Sequence, residues 1–175
     1  MKKQSLFAYI LRLSVTLLLI AALVALALAG VNAITKPKIQ AINDQKTQQA
    51  IEKVLPGGGE AMTLSGDNGI VKAAYASEKG YAILVEPTGF GGTISMMVGV
   101  DKAGSVLGVA IISHAETPSL GAVAADKTSA GESFRNQFVG QSGTVTVEAI
   151  SGATITSKAV AEGVNAALAF AAKQG

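Results

Sequence analysis

The segment from Ser151 to Ser157 carries the residue types best suited to chemistry. It reads Ser-Gly-Ala-Thr-Ile-Thr-Ser and lies between a predicted strand, residues 144–150, and a predicted helix that begins at about Thr154. A turn of small residues before a helix leaves backbone N–H groups unpaired at the positive end of the helix dipole, which suits a phosphate. The hydroxyl groups add hydrogen bonds or a point of covalent attachment. A simpler interpretation is that Ser151 or Thr154 only caps the helix.

Other catalytic patterns are scarce. The single histidine, His114, excludes a site made of several histidines, and the lack of cysteine excludes a thiol dyad. A Ser-His-acid triad through His114 is compatible with the spacing, but no G-x-S-x-G nucleophile pattern occurs. The alternative for His114 is a partly buried residue that ends a strand with its ring hydrogen-bonded. The acidic residues are scattered singly, so the sequence predicts neither a catalytic residue nor a metal site.

The composition indicates one compact domain with an appendage. The chain has 175 residues and a mass of 17.6 kDa, with 49% hydrophobic and 15% charged residues. All twelve acidic residues follow position 35, beside eleven of the fourteen Lys and Arg, so residues 1–35 carry +3 and residues 36–175 carry −1. Despite the pI of 8.9, such a near-neutral domain gives nucleic acid little to contact. The lack of cysteine excludes disulfides, thiolate metal sites, iron–sulfur clusters and a lipoprotein anchor.

The uncharged run Leu13–Ile34 predicts a membrane anchor. Eighteen of its twenty-two residues are apolar, and as a helix it would be about 33 Å long, enough for a hydrocarbon core of about 30 Å. Three basic residues precede it, which places the N-terminus in the cytoplasm and the rest outside, with the cell (inner) membrane crossed once. A cleaved signal peptide is the alternative, because the run ends in alternating alanines, and a pilin-type leader is another.

The rest of the sequence predicts a helical spacer and an α+β domain. The spacer helix, residues 36–55, stops at Pro56 and three glycines. Turn-forming residues then separate short β-like runs: Glu60–Ser65, Ile70–Ala76, Tyr81–Val85, Thr93–Val100, Val106–Ser113 and Thr144–Ile150. Helices are predicted around Gly131–Val139 and from about Thr154 to Lys173.

The expected fold class is therefore α+β, with one mixed, mainly antiparallel sheet and flanking helices. The expected organisation is a basic cytoplasmic N-terminus at 1–12, a transmembrane anchor at 13–35, a helical spacer at 36–59 and an extracytoplasmic domain at 60–175.

Several segments resemble the FMN-binding domains of two membrane complexes, in the G subunit of the Rnf electron-transport complex and the C subunit of the Na+-pumping NADH:quinone reductase. Ser151–Thr156 resembles their flavinylation motif, and further segments match family patterns in order: Gly89–Ile94, Asp101–Val109, His114–Gly121 and Phe134–Gly140. The short chain and its E-T-P-x-L-G loop favour the Rnf protein. Ser119 departs from the family's usual glycine, and Glu148 from its usual aspartate.

The resemblance implies how FMN would be held. In these families a flavin transferase joins FMN through its phosphate to the last hydroxyl residue of the motif, which is Thr156 here. The other expected cofactor contacts are a phosphate side and a loop near the isoalloxazine ring: Ser151, Gly152, Ala153, Thr154, Ser157 and Lys158 on the first, and Glu116, Thr117, Leu120 and Gly121 on the second. Lys158 has an equally good interpretation as an exposed helix lysine.

The implied function is that of an electron-transfer subunit with covalent FMN. It would belong to a membrane ferredoxin:NAD+ oxidoreductase that couples electron flow to Na+ or H+ translocation, together with the other membrane and redox subunits of the complex. Such a chain is one part of an oxidoreductase rather than an enzyme by itself. The alternatives are a stand-alone flavinylated extracytoplasmic carrier, the C subunit of the quinone reductase and, outside redox chemistry, an anchored interaction domain that never receives flavin.

Overall fold

The computed structural model describes residues 6–64 and 68–174 of the chain. Its elements are helix α1, Leu6–Val54; strands β1, Glu60–Met62, β2, Val71–Ser77, β3, Gly80–Val85, β4, Ser95–Asp101, and β5, Val106–Ser113; a 3₁₀ helix, Gly121–Ala124; and helices α2, Ser129–Asn136, and α3, Thr154–Ala171. Part of the predicted basic N-terminus and the end of the predicted strand Glu60–Ser65 lie outside the described residues. The chain divides into two units, residues 1–44 and 45–175.

Helix α1 joins the predicted anchor and the predicted spacer into one continuous helix. The large apolar side chains between Leu13 and Ile34 are exposed. Within the described part of the chain, the segment Ala8–Val54 is the one helix long and apolar enough to cross a membrane, and its mean hydropathy reaches 2.6. The last ten residues of α1 belong to the second unit.

The sheet in the second unit is antiparallel throughout its five described strands. The strands lie side by side in chain order, β1-β2-β3-β4-β5. Two residues separate β2 from β3 and four separate β4 from β5, which is enough to reverse an antiparallel strand, whereas eight separate β1 from β2 and nine separate β3 from β4. The expectation of a mainly antiparallel sheet in an α+β domain is confirmed, and no parallel pair occurs among these strands.

Helices cover both faces of the sheet. Alternate residues of β4 point to opposite faces, so Met96 and Val98 pack in a core with helices α2 and α3, whereas Met97 packs against Ile51 and Val54 at the end of α1. The predicted spacer therefore contributes its last turn to the core of the folded unit.

Gly99 on β4 lies where the end of α1 crosses the sheet. A Cβ built on Gly99 would overlap the carbonyl oxygen of Val54, so the absence of a side chain permits this close approach. Gly108, its partner on β5, has more room, because the nearest atoms to a Cβ built there are those of Val54 at 3.8–3.9 Å.

The predicted strand Thr144–Ile150 is wrong, because this segment pairs with no strand. Side chains bind its backbone instead. The Val145 N–H donates to Asn165 Oδ1 at 2.7 Å, and the Asn165 amide donates back to the Val145 carbonyl at 3.0 Å. The Glu148 N–H donates to Gln137 Oε1 at 2.8 Å in the same way. Side-chain hydrogen bonds thus replace strand pairing for backbone groups of this segment. The alternation of apolar and polar residues is the same in both cases, so it could not tell this segment from a strand.

Helix α2 is tied to the 3₁₀ helix by a buried arginine. Arg135 Nη1 donates to the Ala124 carbonyl at 2.5 Å. Burial lowers the pKa of Arg135 from its usual value, and the charges of Glu132 and Asp126 act against that shift. This contact fixes the position of the 3₁₀ helix. The first residue of that helix, Gly121, ends the loop that follows β5.

Ser119 adopts a backbone conformation that favours glycine. Its φ is 62°, and among the described non-glycine residues it alone has a positive φ. The Cβ of an L-residue is strained there, which gives a physical reason for the glycine usual in the resembling families.

We expect Gly99→Ala to lower the free energy of unfolding by about 2–3 kcal/mol, because the new methyl group must displace the end of α1 or bend β4. Gly108→Ala is the matched control and should change it by less than about 0.5 kcal/mol. Chemical denaturation of the full chain in detergent, followed by circular dichroism, measures both. Equal losses in the two variants would contradict the close approach at Gly99.

We expect Ser119→Gly to raise the free energy of unfolding by about 0.5 kcal/mol, since relief of left-handed strain exceeds the entropy cost of a glycine. Ser142→Gly, at an exposed serine without a positive φ, should instead lower it by up to about 1 kcal/mol. The same denaturation measurement applies, and a Ser119→Gly chain less stable than the unmodified one would rule out strain at this position.

Candidate functional site

A pocket opens where the N-terminus of α3 meets two loops. It has a volume of about 350 Å³, within the usual range for small-molecule sites. One loop follows β5 and the other precedes β4. The lining residues are Phe90, Glu116, Thr117, Leu120, Gly121, Gly152, Ala153, Thr154, Ile155 and Thr156.

The N-terminus of α3 has no side-chain cap. Ala153 occupies the N-cap position, and no side chain accepts a hydrogen bond from the first turn. The interpretation that Ser151 or Thr154 caps the helix is therefore wrong. The backbone N–H groups of residues 154–156 come before the first intrahelical donor, so they are available to an anion at the positive end of the helix dipole.

Gly152 shapes the turn in front of the helix. Its φ is 76°, and a Cβ built there would lie 3.1 Å from Leu120 Cδ2. A side chain would therefore strain the backbone and narrow the pocket between the turn and the loop, which explains the need for glycine.

The two threonines of the segment have different surroundings. Thr156 is 2% exposed, and its hydroxyl donates to Glu116 Oε2 at 2.6 Å. Thr154 is exposed at the first residue of the helix. A Cβ built on Gly121 would overlap both the Glu116 carboxylate and Thr156 Oγ1, so the wall around the Thr156 hydroxyl is closely packed.

The structure brings most of the predicted cofactor contacts together and leaves three outside the pocket lining. Eight line the pocket: Glu116, Thr117, Leu120, Gly121, Gly152, Ala153, Thr154 and Thr156. Ser151 and Lys158 are exposed and do not line it. Ser157 is 1% exposed, and its hydroxyl accepts from the Ile150 N–H at 3.0 Å and donates to the Ala153 carbonyl at 2.9 Å. Ser157 therefore stabilises the turn.

Sequence reasoning missed two apolar residues of the pocket. Phe90 is 68% exposed and Ile155 is 55% exposed, and both line the opening. An aromatic side chain within a glycine turn was a usable signal for Phe90. Ile155 carried no such signal, since an apolar residue in the first turn of a helix is normally assigned to the core.

His114 follows β5 and is exposed, so the expectation of partial burial is wrong, whereas the expected ring hydrogen bond is present. Its Nδ1 accepts from the Glu116 N–H at 3.2 Å. Among the described residues, no group of three or more His, Cys, Asp or Glu side chains could hold a metal ion.

The pocket suits a ligand that carries both a phosphate and a flat apolar ring. The helix N-terminus offers hydrogen-bond donors, and Phe90, Leu120 and Ile155 offer apolar surface. Glu116 is the one charged residue among the lining residues that the structure describes. Donors for the phosphate would therefore come from the backbone and from hydroxyl groups rather than from Lys or Arg.

Two family models match the chain. Residues 89–169 match the FMN-binding domain and residues 1–54 match the RnfG N-terminal region. The first match contains the whole pocket, and the second contains helix α1.

Three similar proteins are each named as the G subunit of an oxidoreductase complex. The chain is 40% identical over 110 residues to that of the proton-translocating ferredoxin:NAD(+) oxidoreductase complex of Clostridium ljungdahlii, covering 54% of this chain and 57% of that one. It is 31% identical over 181 residues to that of the Na(+)-translocating ferredoxin:NAD(+) oxidoreductase complex of Acetobacterium woodii, covering 88% and 87%. It is 34% identical over 124 residues to that of the ion-translocating oxidoreductase complex of Haemophilus influenzae, covering 63% and 60%.

These matches agree with the pocket and with an N-terminal helix able to cross a membrane. The chain belongs to the RnfG family, the G subunits of Rnf-type ion-translocating oxidoreductase complexes, as a membrane protein with an FMN-binding domain.

Proposed function

We propose that this protein is the FMN-carrying electron-transfer subunit of a membrane ferredoxin:NAD+ oxidoreductase that couples electron flow to Na+ or H+ translocation. The observation that carries the proposal is the pocket at the N-terminus of α3, inside the segment that matches the FMN-binding domain. The names of the Clostridium and Acetobacterium relatives support this assembly and its partners, the other subunits of the complex.

The residues of the pocket divide the work of holding FMN. The backbone N–H groups of the first turn of α3 bind the phosphate, and Gly152 keeps side-chain atoms away from it. Phe90, Leu120 and Ile155 pack against the ring and exclude water from that side. Bound FMN supplies the electron-accepting and electron-donating chemistry, while the protein orients the ring and sets its surroundings.

We propose further that the FMN is joined through its phosphate to a threonine of the 151–157 segment by a flavin transferase. A covalent bond prevents loss of the cofactor from a domain outside the cytoplasm. The family resemblance assigns the bond to Thr156, whose hydroxyl lies in the pocket wall.

The surroundings of the two hydroxyls favour Thr154 as a second candidate. A phosphate on Thr156 must break its hydrogen bond to Glu116 and would lie beside a carboxylate of the same charge. A phosphate on the exposed Thr154 would meet the free N–H groups of the first turn. The proposal of a covalent flavin holds for either threonine, and the two assignments are separable by experiment.

The proposed orientation has the N-terminus in the cytoplasm and the folded unit outside, after a single crossing of the membrane. Its support is the count of basic residues beside the apolar run, with Lys2, Lys3 and Arg12 before it against Lys36 and Lys38 directly after it.

We expect co-expression with a flavin transferase to increase the mass of the chain by that of FMN minus one water. Trypsin cleaves after Arg135 and Lys158, so one peptide carries both threonines, and fragmentation of that peptide locates the flavin. Thr156→Val abolishes the mass increase if Thr156 carries the bond, and Thr154→Val abolishes it if Thr154 does.

Thr144→Val, at an exposed threonine of the same tryptic peptide but outside the 151–157 segment, is the matched control and should keep the mass increase. A chain that remains unmodified and colourless in the presence of an active transferase would refute the covalent flavin. Co-purification of the flavinylated chain with other membrane redox subunits tests the assembly, and a chain that always purifies alone would favour a stand-alone carrier.

We expect a membrane-impermeant maleimide to label Ser133→Cys in intact spheroplasts. The chain has no cysteine of its own, and Ser133 is exposed on α2, so the engineered thiol reports the side of the membrane on which the folded unit lies. The unmodified chain is the control for background. Labelling of Ser133→Cys only after lysis would place the folded unit in the cytoplasm and contradict the proposed orientation.

A further inference from the structure

Glu116 joins three separate parts of the pocket. Its Oε1 accepts a hydrogen bond from the Gly91 N–H at 3.0 Å, and its Oε2 accepts from the Thr156 hydroxyl at 2.6 Å. Its own N–H donates to His114 Nδ1 at 3.2 Å. One carboxylate therefore connects the glycine turn before β4, the loop after β5 and the first turn of α3.

The carboxylate is buried within this network. Glu116 is 6% exposed, and a Cβ built on Gly89 or Gly121 would overlap its oxygens. The two glycines therefore make the space that the carboxylate occupies. Burial of a carboxylate costs free energy unless its oxygens accept hydrogen bonds, so the bonds from Gly91 and Thr156 stabilise Glu116 in this position.

The charge of Glu116 is not neutralised by a nearby cation. Among residues 6–64 and 68–174, no Lys or Arg forms an ion pair with it, and its described side-chain partners are an N–H group and a hydroxyl. The pocket lining therefore carries a negative charge beside the first turn of α3, where the helix N-terminus contributes partial positive charge.

We propose that Glu116 is the positioning residue of the FMN pocket and the residue that biases the ring toward a lower reduction potential. Before flavin is attached, its hydrogen bonds hold the Gly89–Gly92 turn, and with it Phe90, against the start of α3, and the bond to Thr156 persists in the loaded chain only if the flavin is on Thr154. Its charge lies beside the first turn of α3, in the lining of the pocket that would hold FMN. The same charge opposes reduction, because reduction adds negative charge to the ring. This inference rests on the proposed binding of FMN.

Two substitutions separate the hydrogen bonds from the charge. Glu116→Gln removes the charge but can still accept from the Gly91 N–H with its oxygen and donate to Thr156 Oγ1 with its amide. Glu116→Ala removes the charge and all side-chain bonds. Glu162→Gln, at an exposed acid on α3 outside the pocket lining, is the matched control.

The first measurement uses the full chain in detergent without flavin. We expect hydrogen exchange of the 89–92 turn to be about tenfold faster in Glu116→Ala and unchanged in Glu116→Gln and Glu162→Gln. Thr156→Val removes one of the two hydrogen-bond donors to Glu116. We expect it to raise hydrogen exchange at the start of α3 by less than Glu116→Ala does. Unchanged exchange in both Glu116→Ala and Thr156→Val would overturn the positioning role.

The second measurement is the reduction potential of the flavin in the loaded full chain, at occupancies matched by mass. We expect a more positive potential in Glu116→Gln and no shift in Glu162→Gln. A purely structural role would leave the potential of Glu116→Gln unchanged, and that result would overturn the electrostatic part. A chain of the natural sequence that binds no flavin contradicts the proposed function itself. If that chain binds flavin and Glu116→Gln leaves the reduction potential unshifted, only the electrostatic role of Glu116 is contradicted.

Discussion

The packing of helix α3 against one face of the sheet is the constraint on which the site depends. Val160, Val164, Ala167 and Leu168 are buried in the core with the inward side chains of the strands. Burial of this apolar stripe places the N-terminus of the helix at the pocket, with its first N–H groups unpaired. Core packing along α3 thus also determines where its unpaired N–H groups lie.

The opposite wall of the pocket is made of loops, and side-chain hydrogen bonds hold them. Glu116 reaches both the Gly91 backbone and the Thr156 hydroxyl, while Arg135 holds the 3₁₀ helix that begins at Gly121. Loops without a ladder of their own need such contacts to keep a binding geometry. Glycine at positions 89 and 121 leaves room for the carboxylate, so the polar contacts and the small residues depend on each other.

An electron carrier with an FMN-binding domain has to hold the flavin ring in place and shield it from water, and it does not need acid–base catalysis. The pocket has apolar residues at its opening and a single described charged residue in its lining. The long apolar helix keeps the protein at a membrane, where the family's complexes reside. The scarcity of histidine and the lack of cysteine are consistent with redox chemistry supplied by an organic cofactor.

Sequence patterns were enough to predict the apolar helix, the antiparallel strands, the two later helices and the position of residues 151–157 at the start of α3. These features depend on local periodicity and turn residues, and β5 was predicted with its observed bounds. Sequence patterns did not show that side chains bind the backbone of residues 144–150, that Phe90 and Ile155 line the pocket, or that Glu116 contacts Thr156. The physical reason is distance along the chain: Glu116 and Thr156 are forty residues apart, and local patterns carry no information about which side chains a folded core brings together.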